Sequence, residues 1–281
     1  MASTGASASP GSLAPGAGSD PTVLEALRSW VRSHFGLSFS GDQGELFVSR
    51  IESFCSERAL RPQELLLQLT AGQRALTGAL ADALSTNHTF FFREKETFDL
   101  LDTSILPSLA GGAVRVWSAA SSSGDEAYSI AIAARERLGD TAAALVKILA
   151  TDLSDRQLRL AEQGLFPAER VALVSAERRA RWFARAGLGQ WQINPELRKM
   201  CTFRRLNLTT HPWPFEQRFH LIFLRNVLYY FEPSTRRAIV EACFDAAEPG
   251  AWLVTSLTDP MLDMVTRWTP IRPAIFRKGP P

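Results

Sequence analysis

Val116-Trp117-Ser118-Ala119-Ala120-Ser121-Ser122-Ser123-Gly124-Asp125-Glu126-Ala127-Tyr128-Ser129 decides how this chain folds. An apolar run passes through a series of small residues into a helix-forming segment, which reads as strand, turn and helix. Small side chains let a ligand approach the backbone closely, and Gly124 permits torsions closed to other residues. One glycine stands where a dinucleotide-binding fingerprint has three, so an ordinary tight turn is written in the same residues. The acidic pair Asp125-Glu126 disfavours a phosphate ligand and suits a cationic one.

The alternation continues on both sides of that turn. Val114 to Trp117 reads as a strand, Glu126 to Leu138 as a helix, Leu145 to Ala150 as a strand, and Ser154 to Gln163 as a helix with Ser154 at its N-cap. Leu221 to Leu224, Ser234 to Ala247 and Trp252 to Thr255 repeat strand, helix and strand. This rhythm predicts an α/β domain over 111–281 with a largely parallel, doubly wound sheet, which binds ligands at the carboxyl ends of its strands. Residues 165–206 break the rhythm, with Arg178, Arg179, Arg181 and Arg185 among Trp182 and Trp191, and read as an inserted subdomain.

Upstream, residues 21–84 are helical in pattern. Asp20-Pro21 starts the first helix, followed by Leu24, Leu27, Val31 and Phe35 at three- and four-residue steps. Leu46, Ile51, Phe54 and Leu60 mark a second helix, Pro62 to Leu69 a third and Thr77 to Leu84 a fourth. Together they predict a small all-helical domain, joined by a linker at 85–110 that contributes to the site. Residues 1–20 are nearly all Ala, Ser, Gly, Pro and Thr, a composition expected to be disordered.

Composition narrows the function classes. With 281 residues the chain is long enough for about two domains, and 46 % hydrophobic against 21 % charged residues is ordinary globular composition. A net charge of +2 gives no pointer to nucleic acid. The cysteines Cys55, Cys201 and Cys243 have no metal-ligand spacing and read as thiols in a reducing compartment, so no metal is expected. No apolar run approaches the roughly 20 residues that span a bilayer, and no secretory leader is legible, so a cytoplasmic protein without membrane insertion is expected.

Three further segments carry chemistry. In Leu149-Ala150-Thr151-Asp152-Leu153-Ser154, an acidic residue ends the second strand, where such residues accept hydrogen bonds from ribose hydroxyls. Capping of the next helix is the plainer reading, but Ser154 is available for that task. In Phe223-Leu224-Arg225-Asn226-Val227-Leu228-Tyr229-Tyr230-Phe231, an apolar strand ends abruptly in Arg-Asn. A buried aromatic cluster accounts for Tyr229 and Phe231, whereas a charge at Arg225 needs a partner. Ser85-Thr86-Asn87-His88-Thr89-Phe90-Phe91-Phe92-Arg93 reads either as a hydrophobic hinge or as part of a site.

Taken in order, these four segments resemble the CheR chemotaxis methyltransferases. Leu206-Asn207-Leu208 and Glu248-Pro249-Gly250 extend the likeness, which spans about 24–259. The resemblance implies a Rossmann-like class I methyltransferase domain with a small β-subdomain, preceded by the helical domain. It implies S-adenosylmethionine as methyl donor, with S-adenosylhomocysteine as product, and suits the acidic pair to the donor's amino group. Cofactor contacts would fall on Asn87, Thr89, Arg93, Glu126, Asp152, Asn207, Leu208, Arg225 and Asn226. Tyr230 matches the family tyrosine near the transferring methyl, and Arg93 and Tyr230 are the catalytic candidates. The partner implied is the cytoplasmic domain of methyl-accepting chemoreceptors, whose glutamates become methyl esters, and a monomer is expected.

A glutamate carboxylate, with a pKa of about 4.3, is already a nucleophile at neutral pH, so esterification needs no general base. The segments offer Arg, Asn, Asp and Tyr but no Cys-His or Ser-His pair. One orienting cation, Arg93, is expected, with Phe91, Phe92 and Phe231 excluding water. Three departures from the family stand out. His220 replaces an acidic residue before the Leu221 strand, with an expected structural effect only. Ser256-Leu257-Thr258-Asp259 replaces a glycine-containing segment ending in Ser-Glu. Arg50 to Arg58 carries two arginines and two glutamates where relatives have a basic helix that reads the receptor; the arginines at 178–185 read first as a solvated helix face and second as a docking face that takes over part of that role. Rival readings are a nucleic-acid methyltransferase, which lacks its Asn/Asp-Pro-Pro-aromatic motif here, a small-molecule carboxyl methyltransferase, and a catalytically silent cofactor-binding adaptor in a chemosensory pathway.

Overall fold

The computed structural model describes residues 20–39, 41, 43–86, 88–139, 142–261 and 264–279. The expected disordered tail lies outside them, Asp20 excepted. Helices α1 (Pro21–Phe35), α2 (Gln43–Glu57), α3 (Pro62–Thr70) and α4 (Arg74–Leu84) open the chain. Asp20 caps α1 by accepting the Thr22 N–H at 2.9 Å. Leu27, Val31, Phe47, Ile51, Phe54, Leu65 and Leu80 close one apolar core. Leu60, expected on the second helix, lies beyond it, because the chain leaves α2 through a left-handed Ala59 (φ 50°).

The linker segment is more structured than expected. Helix α5 (Lys95–Leu100) continues through a π turn at Leu101–Ile105 into α6 (Leu106–Ser108). Its buried face, Phe98, Leu101, Ile105 and Leu106, packs on the main sheet.

Strand β1 (Val114–Ala119) leads to α7 (Asp125–Leu138) and α8 (Ala142–Leu145). Then come β2 (Val146–Asp152) and α9 (Asp155–Gln163). The insertion follows as β3 (Leu165–Pro167), α10 (Ala168–Val171), α11 (Ala176–Trp182), β4 (Phe183–Gly187), β5 (Gln190–Ile193) and α12 (Pro195–Met200). The chain returns through β6 (Cys201–Arg205), β7 (Phe219–Leu224), α13 (Pro233–Asp245), β8 (Ala247–Val254), β9 (Thr269–Arg272) and β10 (Ile275–Arg277). The seven-stranded sheet has the order β6-β2-β1-β7-β8-β10-β9. Its first five strands are parallel, and β10 joins antiparallel to β8 and β9. The insertion forms its own antiparallel sheet, β3-β5-β4. It is shorter than the expected 165–206, because Cys201–Arg205 pairs with β2 and belongs to the main sheet.

Central parallel strands are covered on both faces, which is why they read as continuous apolar runs. Val116, Leu221, Phe223 and Val254 point into the layer holding α5–α7. Trp117, Ala119, Ile222, Leu224 and Leu253 point into the layer holding Ile239, Val240 and Cys243 of α13. Strand order reverses at β1, with β2 on one side and β7 on the other. The crevice past Ala119 and Leu224 is therefore the topological switch point, where doubly wound sheets hold ligands.

The helical segment closes over that crevice. Leu37 bridges Phe231, and the Ser38 N–H donates to the Tyr230 carbonyl at 2.7 Å. Asp82 of α4 accepts from the Ser154 hydroxyl at 2.6 Å, and Asn207 Nδ2 donates to the His34 carbonyl at 2.8 Å. Gly36 makes this approach possible. It ends α1 at φ 73°, and a Cβ there would sit 2.2 Å from Thr209 Cγ2.

Candidate active site

A cleft open to solvent lies at the switch point, the usual place for a ligand in a doubly wound sheet. Thr86, His88, Thr89, Phe90 and Arg93 form one wall, and Phe35, Leu37 and Leu84 of the helical segment another. The strand ends contribute Ala120, Ser121, Ser122, Glu126, Asp152, Arg225 and Asn226, and Asn207, Leu208, Tyr230 and Phe231 complete it. The expected cofactor and catalytic residues except Asn87 thus line one cavity; Asn87 lies outside the described residues. Asp125 does not face it, because its carboxylate is buried on Arg170, and Phe91 and Phe92 pack with the hydrophobic core instead of lining it.

The turn after β1 is shaped by backbone as much as by size. Ala120 (φ 55°), Ser122 (φ 49°) and Gly124 (φ 87°) are left-handed. Such conformations persist in non-glycine residues only when their surroundings hold them. Asp152 is one such hold: its buried carboxylate accepts the Ser122 N–H at 2.8 Å and the Ser154 N–H at 2.9 Å. Ser154 itself caps α9, accepting the Gln157 N–H at 3.1 Å, which leaves Asp152 free of that task. Burial pushes the Asp152 carboxyl up, against the backbone donors of Ser154 and Ser122.

Arg225 finds the partners its position demands. Its side chain is 1 % exposed, with Nη1 3.0 Å from Glu126 Oε2 and Nη2 3.2 Å from Glu94 Oε2. Nη2 also donates to the Arg93 carbonyl at 2.6 Å. Glu126 accepts the Ser118 hydroxyl at 2.7 Å, and Glu94 accepts the Ser256 hydroxyl at 2.7 Å. Burial drives the Glu126 carboxyl upward despite Arg225. Burial opposes ionisation of Glu94 too, but Ser256, Arg225 and Asn226 outweigh it and hold that carboxyl below the usual range.

Asp259 organises the neighbouring loop. Its carboxylate accepts N–H groups from Asn226 (2.7 Å), Val227 (3.1 Å), Leu228 (2.9 Å) and Ser256 (2.9 Å). These bonds fix Asn226 in its left-handed state (φ 57°) and carry the chain into the short helical turn that ends at Tyr230. Arg93 stands apart from the buried network. Its Nη1 donates to the His88 carbonyl at 2.8 Å, its guanidinium lies 5.7 Å from the Phe90 ring, and no carboxylate pairs with it among the described residues. Asn207 holds Thr209 through its oxygen, with bonds of 3.0 and 2.9 Å, while its amide reaches His34.

Comparison with known proteins decides the assignment. Residues 87–272 match the family described as CheR methyltransferase, SAM binding domain. A chemotaxis protein methyltransferase of Borreliella burgdorferi is 35 % identical over 224 residues, covering 76 % of this chain and 79 % of the relative. Chemotaxis protein methyltransferase 1 of Pseudomonas aeruginosa is 32 % identical, covering 82 % of this chain and 87 % of the relative. A chemotaxis protein methyltransferase of Vibrio parahaemolyticus is 30 % identical, covering 89 % of this chain and 94 % of the relative.

The chain belongs to the CheR methyltransferase family. As a CheR protein it is an S-adenosylmethionine-dependent methyltransferase with the class I α/β fold. The cavity suits that cofactor on grounds of its own. The cofactor is cationic at sulfonium and ammonium, and the cleft sets the carboxylates of Glu126 and Asp152 beside one guanidinium, Arg225, whose far side is taken up by Glu94. A cation placed there would favour the ionised form of Glu126. The Ser121 and Ser122 hydroxyls are buried against the cleft without a hydrogen-bond partner among the described residues, and Asp152 offers acceptors for sugar hydroxyls.

The departures from the CheR pattern take structural form. His220 lies at the start of β7, accepting the Arg115 N–H at 3.0 Å, at the opposite end of the strand from the cleft. In the Ser256–Asp259 segment, Ser256 and Asp259 bind Glu94 and the Asn226 loop. Glu94 escaped the sequence reading because a lone acid in a loop carries no periodic signal, and Asp259 reads there only as the end of a departing segment, not as the acceptor that organises the Asn226 loop. Among the described residues no helix is long and apolar enough to cross a membrane.

Proposed function

We propose that this protein transfers the methyl group of S-adenosylmethionine to glutamate side chains in the cytoplasmic domain of a methyl-accepting chemoreceptor, producing glutamyl methyl esters. The observation that carries this reading is the division of charge in the cleft. Glu126 and Asp152 line the floor with Arg225, while Arg93 stands on the wall without an acidic partner among the described residues. A cationic donor and an anionic acceptor can thus meet there.

When bound, the cofactor supplies an electrophilic methyl group on sulfonium. Asp152 accepts the ribose hydroxyls, and Glu126, held by Ser118 and Arg225, faces the amino group. Thr89, Asn207, Leu208 and Asn226 supply the remaining contacts, with Ser121 and Ser122 donating from the turn. Arg93 orients the incoming carboxylate, and Tyr230 hydrogen-bonds it without adding charge. Phe90 and Phe231 line the cleft and keep water out, Phe231 being 4 % exposed. An anion and a cation neutralise each other in this reaction, so tight binding of the free carboxylate would stabilise the ground state more than the transition state. One arginine therefore serves better than a cluster. Proximity and alignment supply most of the acceleration, up to about 7–11 kcal/mol in favourable cases. The setting we propose is the cytoplasm, with the protein acting as a monomer and without nucleic acid.

Calorimetric titration with S-adenosylhomocysteine tests the site. The parent protein binds it saturably, and Asp152→Ala weakens binding at least tenfold. Absence of binding at millimolar ligand, or equal affinity in the variant, removes the basis for these assignments.

A further inference from the structure

The inserted subdomain reaches the turn beside the cleft by a route that the proposed chemistry leaves unused. Arg170, on α10 of the insertion, places Nη1 2.7 Å from the Ser123 hydroxyl and 3.1 Å from Asp125 Oδ2. The Ser123 hydroxyl also donates to Asp125 Oδ2 at 2.8 Å. Both acceptors belong to the turn that runs from β1 into α7, just after Ser121 and Ser122, which line the cleft. The Asp125 side chain is 0 % exposed, and its second oxygen has no hydrogen-bond partner from another residue among the described residues. Arg170 is the one ion-pair partner of this carboxylate among the described residues. A buried carboxylate without its cation must take up a proton or move toward water. Here movement would unseat a turn that already holds Ala120 and Ser122 in left-handed states.

We infer that Arg170 is a positioning residue: from the inserted subdomain it fixes the Ser121–Asp125 turn and thereby sets the affinity for S-adenosylmethionine. The inference rests on the cofactor reading above. It makes the insertion part of the cofactor site as well as an appendage of it. The aromatic packing is consistent: Phe91, from the Arg93 wall, meets Phe166 of β3 at 4.8 Å and Phe183 of β4 at 5.2 Å between ring centroids. The insertion thus braces both the turn and the opposite wall.

The test is a double-mutant cycle read by calorimetry with S-adenosylhomocysteine, with melting temperatures measured alongside. Arg170→Met raises the dissociation constant at least tenfold, and Arg170→Lys, which restores the charge, recovers part of that loss. Asp125→Asn removes the stranded charge, so Arg170→Met combined with Asp125→Asn binds more tightly than Arg170→Met alone. Parent-like affinity in Arg170→Met overturns the inference. So does simple multiplication of the two single-variant effects, or a lysine variant as weak as the methionine one. Should Arg170→Met not fold, the comparison of Arg170→Lys with the parent, and of the double variant with Asp125→Asn, separates the same two outcomes. Failure of the parent protein to bind S-adenosylhomocysteine would instead strike the cofactor reading itself.

Discussion

Asp152 shows how one side chain serves structure and chemistry together. Its carboxylate ties the end of β2 to the β1 turn through two backbone N–H groups and still faces the cleft. Its carboxyl lies above the usual range because it is buried. Both oxygens already accept a backbone N–H, so protonating either one removes acceptor capacity, and affinity for S-adenosylhomocysteine should fall as the pH drops through that raised pKa. In Asp152→Asn this pH dependence should vanish along with most of the affinity; titrations across a pH series check both. Arg93 and Tyr230 carry the acceptor side of the account. Arg93→Ala should lower kcat by about 100-fold, the scale of a misaligned reactant, and weaken cofactor affinity as well, since Arg93 is among the expected cofactor contacts. Tyr230→Phe should lower kcat by a smaller factor, since only a hydroxyl is lost. Steady-state kinetics that leave turnover unchanged in both variants would refute their roles. At this scale the sequence was legible where a residue breaks a pattern, as Arg225 does at the end of an apolar strand. It was mute about left-handed Ala120, Ser122 and Asn226, whose torsions are imposed by hydrogen bonds from distant residues.

Secondary elements were read most surely where periodicity and caps agree. Helix α1 begins at Pro21 behind its Asp20 cap, and α9 begins behind Ser154, as the residues indicate. Strands β1, β2, β7 and β8 were visible as apolar runs because both their faces are covered. The helical passage from Lys95 to Ser108 was missed because a π turn at Leu101–Ile105 shifts the register of its apolar residues and Pro107 sits near its end. Strand β6 hid inside the insertion because, as an edge strand, it buries little: only Phe203 is fully covered. Gly36 carries the prediction proper to this scale. Its left-handed torsion and the close approach of Thr209 leave no room for a methyl group. Gly36→Ala should cost about 2 kcal/mol or more, measured by denaturant unfolding. A neutral effect would mean that the contact between α1 and the Asn207 loop is not tight.

On the scale of the whole molecule, the cleft exists because separate bodies of chain converge on one switch point. The doubly wound sheet supplies the floor, the helical segment closes one side through Leu37, Ser38 and Asp82, and the inserted sheet braces the other through Phe166, Phe183 and Arg170. The order of these bodies along the chain was legible from composition and rhythm. Their convergence was not, since the contacts that join them are single hydrogen bonds and ring packings between residues far apart in sequence. The chemistry proposed at their meeting point is specific enough to be tested directly. The protein is incubated with methyl-labelled S-adenosylmethionine and a chemoreceptor cytoplasmic fragment from the same cell, and the product is then treated with alkali. The account predicts label on the fragment, released by base as volatile methanol, and absent when the accepting glutamates are replaced by alanine. Label that resists base, or no transfer by a protein that binds S-adenosylhomocysteine, would contradict glutamate esterification.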